Sequence, residues 1–338
     1  MSNVSVIGAG SWGTALSLVL AGKCEKVTLW ARREELCTAI RETGQNPDYL
    51  PGLILPPNVF PTADLEQAVR GKDFLVLVVP SHAVRTTARM LAPFIREGAV
   101  VVNCAKGLEE ETLLRMSVVL NEELPSSLVS VLSGPNHAEE VSRFIPSASV
   151  VSANDRLTAE RVQELLMTRY FRVYTNKDLV GVELGGALKN VIALGAGISD
   201  GLGFGDNTKA ALMTRGIIEI ARLGVRLGAD PLTFAGLSGI GDLVVTCTSK
   251  HSRNRNLGYA LGQGKKLQEL LAGMRMVAEG VRTTHTAWSL SQQYDVEMPI
   301  TYEMNQMLFN GKDPRQAVGD LMQRGKTHEK EDIISYDW

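Results

Sequence analysis

The sequence predicts an α/β domain with a mainly parallel sheet over residues 1–177, followed by an all-α domain over residues 178–338. Three observations carry this. A chain of 338 residues is longer than one small core usually serves. Up to about Lys177, short β-branched runs alternate with helical stretches in the βαβ rhythm of a parallel sheet. Beyond Lys177 the strand signals stop and the apolar periodicity becomes helical.

Strands are expected at Val4–Ile7, Lys26–Trp30, Phe74–Val79, Ala99–Asn103, Leu128–Leu132, Ser149–Val151 and Arg172–Tyr174. Several are continuous apolar runs, as in strands buried on both faces. Thr14–Gly22, Thr62–Arg70, His82–Phe94 and Thr158–Arg169 read as helices between them. Gln45–Phe60 has five prolines in or beside it and no period, and is expected to be a long loop. In the second half the expected helices are Leu179–Ala196, Thr208–Leu227, Arg253–Gly262, Val281–Tyr294, Pro299–Phe309 and Pro314–Arg324. Asp313 is a ready N-cap for the last of these, with Pro314 at its first position.

Composition excludes several classes. A net charge of −2 gives no polyanion footprint, so nucleic acid is not an expected partner. The cysteines Cys24, Cys37, Cys104 and Cys247 form no C-x-x-C pair, which suits free thiols in a reducing compartment. The histidines show no zinc-ligand spacing, and no metal is expected. No secretory signal is legible at the start, and apolar runs such as Phe74–Pro80 fall short of the roughly 20 residues a membrane helix needs. The expected location is the cytoplasm, without membrane insertion.

The stretch Gly8-Ala9-Gly10-Ser11-Trp12-Gly13 lies between a predicted strand and a predicted helix. Glycines there let the backbone approach a pyrophosphate, which the helix N-terminus holds with free N–H groups. The second strand ends in Trp30-Ala31-Arg32-Arg33, about 20 residues beyond the glycines, where an acid favours NAD and an arginine favours the 2′-phosphate of NADP. Two arginines point to NADPH, unless they are only solvated. Pro80-Ser81, Lys106-Gly107 and Gly134-Pro135-Asn136 also follow strands, and in a parallel sheet those ends form the ligand rim.

The second half carries another lysine. Lys189 has Gly185, Gly186, Ile192 and Ala193 at helical neighbour positions, so another backbone or a ligand can come close. A desolvated lysine would exchange protons near neutral pH, whereas a snorkelling one would be solvated; the sequence leaves both open. Ser252 is a good N-cap, yet Arg253 and Arg255 occupy the helix start, where cations are unfavourable without an anion. With Asn254 and free N–H groups they form a candidate phosphate site, solvated arginines being the alternative. Asp242 sits among glycines and apolar residues and needs a partner, a lysine or a substrate hydroxyl. Val277-Ala278-Glu279-Gly280 reads equally as a capping turn.

The blocks "GAGSWGTAL", "AKGLE", "LSGPNHAEEV", "ELGGALKNVIALGAGISDGLGFGDNTKAALMTRG", "LSGIGDL", "SRNRNLG" and "AEGV" resemble the bacterial-type NAD(P)-dependent glycerol-3-phosphate dehydrogenases over nearly the whole chain. The resemblance implies a Rossmann-like NAD(P)-binding domain joined to a helical substrate-binding domain. It implies cofactor contacts from Gly8, Gly10, Ser11, Trp12, Gly13, Arg32, Arg33, Tyr49, Lys106, Ala138, Arg253, Val277 and Glu279. Substrate contacts are implied for Lys106, Gly134, Asn136, Lys189, Asp242, Ser252, Arg253 and Asn254, with Lys189 as the catalytic proton acceptor. The family pattern has Ser or Thr where this chain has Asn136, an amide of different reach.

The implied reaction is reversible reduction of dihydroxyacetone phosphate to sn-glycerol 3-phosphate with NADPH, or with NAD(H), feeding glycerophospholipid synthesis. The competing readings are another two-domain reductase of ketopantoate or hydroxyacid type, and a non-catalytic NADP(H)-sensing module. A homodimer is the expected assembly.

Overall fold

The computed structural model describes residues 3–273 and 278–326. The chain divides into two compact units, Met1–Lys106 with Arg115–Leu179, and Gly107–Leu114 with Val180–Trp338. The short segment Gly107–Leu114 thus belongs with the second unit, which a single boundary after residue 177 does not provide for.

The first unit runs β1 (Val4–Ile7), α1 (Ser11–Ala21), β2 (Val27–Trp30), α2 (Glu34–Thr43), β3 (Gln45–Asn46), β4 (Leu50–Ile54), β5 (Val59–Thr62), α3 (Leu65–Val69), β6 (Phe74–Leu77), α4 (Val84–Leu91), β7 (Val100–Asn103), α5 (Met116–Glu123), β8 (Leu128–Ser133), α6 (Ala138–Val141), β9 (Ser147–Ala153), α7 (Arg156–Leu166) and β10 (Phe171–Asn176). The main sheet has the order β10-β9-β8-β7-β6-β1-β2-β5. Every pair in it is parallel except β8 with β9. In β1, β2, β6 and β7 every residue is buried, so the apolar runs are those of central strands covered on both faces. At the β10 edge the pattern turns to alternation, with Phe171 and Val173 buried and Arg172 and Tyr174 exposed. The winding reverses between β1 and β6, which places the switch point of the sheet at the carboxyl end of β1.

The segment Gln45–Phe60 is not an aperiodic loop. It forms an antiparallel hairpin, β3 with β4, and then enters β5, which pairs with β2 at the edge of the sheet. Its prolines hid these strands. Pro61 lies within β5, and an edge strand tolerates the missing N–H that an interior strand would need. The helix expected from Thr62 accordingly begins at Leu65, with Asp64 accepting from the Gln67 N–H as N-cap.

The second unit is helical: α8 (Leu179–Gly201), α9 (Asp206–Arg226), α10 (Asp242–Thr248), α11 (Arg253–Gly262), α12 (Leu267–Ala272), α13 (Glu279–Gln293), α14 (Pro299–Phe309) and α15 (Pro314–Met322), with a 3-10 turn at Pro231–Ala235 and a π turn at Leu237–Gly241. Asp313 caps α15 as expected, accepting from the N–H groups of Arg315 and Gln316. Leu108 joins the core of this unit. Its centre is α8, which is long and apolar enough to cross a membrane by length and composition, and whose most apolar 18-residue stretch is 94% buried inside the protein.

Glycines set the spacing around α8. A Cβ at Gly197 would lie 2.0 Å from Arg255 O and one at Gly201 2.4 Å from Tyr259 O. Reciprocally, a Cβ at Gly258 would lie 2.0 Å from Leu194 O and one at Gly262 2.4 Å from Ile198 O. Two pairs of glycines spaced four residues apart therefore let the α8 and α11 backbones touch. The small residues beside Lys189 admit backbone in the same way: a Cβ at Gly185 would lie 2.6 Å from Ser238 O of the π turn.

One buried acid ties α9 to α14. The Glu219 carboxylate, 3% exposed, accepts from Ile300 N at 2.6 Å, Thr301 N at 3.2 Å and Thr301 Oγ1 at 3.2 Å. The two N–H groups lie in the first turn of α14, where a helix leaves its N–H groups without partners of its own. Burial nevertheless dominates and pushes the Glu219 carboxyl up to about 7, against the pull of those bonds and of the Arg222 charge. The folded state therefore holds this proton more tightly than the unfolded chain. Its contribution to stability is complete at acid pH and is lost as pH rises through about 7. The full effect is about 3 kcal/mol. Urea unfolding of the wild type is expected to weaken between about pH 5 and 8 by an amount that Glu219→Gln removes; identical pH profiles would refute this.

Candidate active site

In the first unit the glycine turn meets the switch point. Gly8 has φ +118°, and a Cβ there would lie 2.3 Å from Val78 O at the end of β6. A Cβ at Gly13 would lie 1.8 Å from Gly8 O. These two glycines are required by the protein's own backbone. Gly10 is different, because a Cβ there meets nothing within 4 Å. Gly10 is the N-cap of α1 with no side-chain cap, and the first turn holds no acid. An open, uncapped helix start beside an unobstructed glycine fits a pyrophosphate. Ser11 and Trp12 begin that helix, and the Trp12 ring packs on Phe171 at 6.2 Å between centroids.

The β3–β4 hairpin is tied to this turn. Ser11 Oγ donates to Tyr49 O at 2.6 Å, and buried Asn46 Nδ2 reaches Ala9 O at 2.9 Å and Thr14 Oγ1 at 2.8 Å. Ala138, at the start of α6, packs with Ala15 and Leu50. Arg32 and Arg33 follow β2 and are exposed. The Arg33 guanidinium is ion-paired with Asp48 in the hairpin turn.

Lys106 and Gly134 follow β7 and β8 on the same rim, since those strands run parallel to β1. Lys106 Nζ donates to Gly134 O at 2.9 Å and to Asn136 Oδ1 at 2.9 Å. Asn136 Nδ2 in turn donates to Ser149 Oγ at 3.1 Å. The amide thus spans a donor-only ammonium and a hydroxyl, a bridge that needs both ends of its side chain. Gly134 has φ +128°, and a Cβ there would press on Ser149 Cα at 3.0 Å. Beneath this rim the buried Cys104 thiol is pushed up to about 12 by desolvation, with Lys106 pulling weakly the other way.

The second unit holds the buried pair. Gly185 contacts the π turn at Ser238; four residues on, Lys189 meets Asp242, itself four residues beyond Ser238. Lys189 Nζ lies 2.5 Å from Asp242 Oδ1 and 2.6 Å from Thr246 Oγ1. The Thr246 hydroxyl gives its own proton to Asp242 O at 2.6 Å, so it faces Lys189 as an acceptor. Lys189 is 5% and Asp242 1% exposed, so the lysine does not snorkel to solvent, and the acid has its lysine partner. Neighbouring Cys247 is pushed up to about 12, mainly by burial, and stays a neutral thiol.

One residue further along α8, Asn190 Oδ1 accepts from Asn254 Nδ2 at 2.9 Å. Asn254 Oδ1 accepts from Gly280 N at 2.9 Å. Ser252 caps α11 by accepting from Arg255 N at 3.2 Å, and the first turn has no acid. Arg253 is exposed there. Arg255 pairs with Asp200 at 2.5 Å, which Lys209 also contacts at 2.7 Å. Asn254 thus spends its oxygen on Gly280 and one amide N–H on Asn190. Glu279 opens α13 and is half-buried, while Val277 lies outside the described residues.

Sequence reasoning missed Thr246, Asn190, Ser149 and Asp48. Thr246 had a signal, four residues after Asp242 on one helix face. The others act across pairings that no local pattern encodes. A cavity of about 530 Å³ at the α13–α14 junction, lined by Trp288, Tyr302, Asp320 and Arg324 among others, shares no residue with these clusters.

The buried pair makes a stability prediction. Asp242→Ala leaves a buried ammonium without its counter-charge and is expected to cost about 3–5 kcal/mol in urea unfolding. The double variant Asp242→Ala, Lys189→Met is expected to recover much of it; strictly additive losses would show that the two charges do not support each other.

The comparisons cover the chain in two parts. The family model described as NAD-dependent glycerol-3-phosphate dehydrogenase N-terminus matches residues 3–159, and the corresponding C-terminus model matches residues 178–319. A glycerol-3-phosphate dehydrogenase (NAD(P)+) of Moorella thermoacetica is 60% identical over 336 residues, covering 99% of each chain. One of Pelotomaculum thermopropionicum is 58% identical over 333 residues, covering 98% of this chain and 95% of that one. The crystal structure of glycerol-3-phosphate dehydrogenase from Coxiella burnetii has a TM-score of 0.92 at 38% identity, covering 96% of this chain and 99% of that one. Matched in both halves and along nearly its full length, this chain belongs to the NAD-dependent glycerol-3-phosphate dehydrogenase family.

Proposed function

We propose that the protein reduces dihydroxyacetone phosphate to sn-glycerol 3-phosphate with NADPH, accepting NADH as an alternative, and catalyses the reverse oxidation. The observation that carries this reading is the buried Lys189–Asp242 pair, one residue from the Asn190–Asn254 bond that fixes an arginine-bearing helix start. A proton-transfer group and an anion site are thereby held on one frame. When bound, the nicotinamide supplies or accepts the hydride at the central carbon.

The residues divide the remaining tasks. Gly10 and the open start of α1 receive the pyrophosphate, and Arg32 and Arg33 face the 2′-phosphate. Ser11, Trp12, Tyr49, Ala138, Val277 and Glu279 complete the cofactor contacts expected from the family motifs. Lys189 gives a proton to the ketone oxygen during reduction and takes it back during oxidation. Asp242 stabilises the ammonium, and Thr246 accepts a second of its protons and so sets its direction. Lys106, steadied by Asn136, polarises the same oxygen. Arg253 and the N–H groups opening α11 hold the phosphate, so the reacting carbon is positioned by a group remote from it. Gly134, Ser252 and Asn254 complete the substrate contacts expected from the family motifs.

The two competing readings lack a use for these features. A ketopantoate or hydroxyacid reductase needs no phosphate site at α11, and a sensing module needs no buried lysine–carboxylate pair. Competition by inorganic phosphate against the substrate separates the first, and NADPH oxidation on adding dihydroxyacetone phosphate separates the second. The four free, buried cysteines support a reducing, cytoplasmic location. The expected homodimer and a place in phospholipid synthesis belong to the same proposal.

Lys189→Ala is expected to lower kcat by about 10²–10⁴-fold while NADPH affinity, read by fluorescence titration, stays within about twofold. Wild-type turnover in that variant would remove Lys189 from the mechanism.

A further inference from the structure

Asp48 sits in the three-residue turn of the β3–β4 hairpin, and its carboxylate is ion-paired with Arg33, the N-cap of α2. The hydrogen bond from Arg33 to Asp48 is the main reason that guanidinium is held above its ordinary pKa. The side chains are 48% and 39% exposed, so the pair lies in water rather than in the core. The hairpin itself is well anchored. Ser11 Oγ holds Tyr49 O, next in sequence to Asp48, and Asn46 is bonded to Ala9 O and Thr14 Oγ1. These bonds tether the hairpin turn to the start of α1, so the carboxylate is kept where Arg33 can reach it.

We propose that Asp48 is a specificity-determining residue, an internal competitor for Arg33 that lowers this chain's preference for NADPH over NADH. The inference rests on the assignment of Arg33 to the 2′-phosphate. A 2′-phosphate reaches Arg33 only by displacing the carboxylate or by lying beside it, and both are unfavourable for an anion. NADH carries a hydroxyl at that position and leaves the ion pair intact. Exposed ion pairs are weak, so Asp48 trims selectivity by a small factor. Its contribution is also screened by salt, since the charges meet in solvent.

The test measures dissociation constants of NADPH and NADH by isothermal titration calorimetry, without substrate, for wild type, Asp48→Asn, Arg33→Gln and the double variant. At low salt Asp48→Asn is expected to tighten NADPH by about two- to fivefold and leave NADH within about twofold. The gain is expected to vanish in the Arg33→Gln background and to shrink at about 0.5 M salt. If Arg33→Gln lowers the NADPH preference but Asp48→Asn leaves it unchanged or lowers it, the competition is refuted and the Arg33 assignment stands. If Arg33→Gln leaves the preference unchanged, the assignment itself fails and the proposal falls with it. Wild-type NADH affinity in each variant shows that the site is still folded.

Discussion

The contact between α8 and α11 is the constraint on which the second unit depends. At Gly197, Gly201, Gly258 and Gly262 there is no room even for a methyl group, because carbonyl oxygens of the facing helix occupy the space. Backbone contact of this kind fixes two helices more firmly than side-chain packing, which can repack around a changed volume. Asn190 then lies within a hydrogen bond of Asn254, and Lys189 faces the acid delivered by the π turn. A π turn is a poor helix, and here it has a use. Gly239, with φ −93° and ψ −107°, breaks the helical path just before Asp242.

The two helix starts proposed to take anions differ in their caps, Ser252 capping α11 while α1 has no side-chain cap. Neither α1 nor α11 has an acid in its first turn. α2 carries Glu34 and Glu35 there and α6 carries Glu139 and Glu140, one way of satisfying the positive end of a helix dipole, while α4, α5, α7, α14 and α15 also do without a first-turn acid. In the proposed reading, the missing acids at α1 and α11 leave the charge at those ends for a ligand to supply. At Asp48 the chain does the reverse and supplies a negative charge of its own.

The central sheet was legible because its strands are continuous apolar runs, whereas β5 was hidden by Pro61, an interior-strand breaker that an edge accepts. The glycine-rich α8 announced a close approach, but nothing local says whether a ligand or a helix approaches, and here it is a helix. Lys189 illustrates the limit best. Its partner is 53 residues away, so exposure and buried pairing looked alike until the fold placed Asp242 beside it. The same distance effect hid the partner of Arg255, which is Asp200, 55 residues upstream. Motif resemblance bridged some of these gaps, yet it did not foresee that Asn136 would lean on Ser149.

The short segment Gly107–Leu114 has a consequence for how the chain is made. It is synthesised well before α8, yet Leu108 belongs to the core that α8 organises. A nascent first unit can close its sheet through β10 while this excursion remains without its own core. The second unit, for its part, is not a detachable C-terminal fragment: cutting after residue 179 would separate it from a piece of its interior. Excising or swapping it intact therefore requires two junctions within the early part of the chain as well as one before α8.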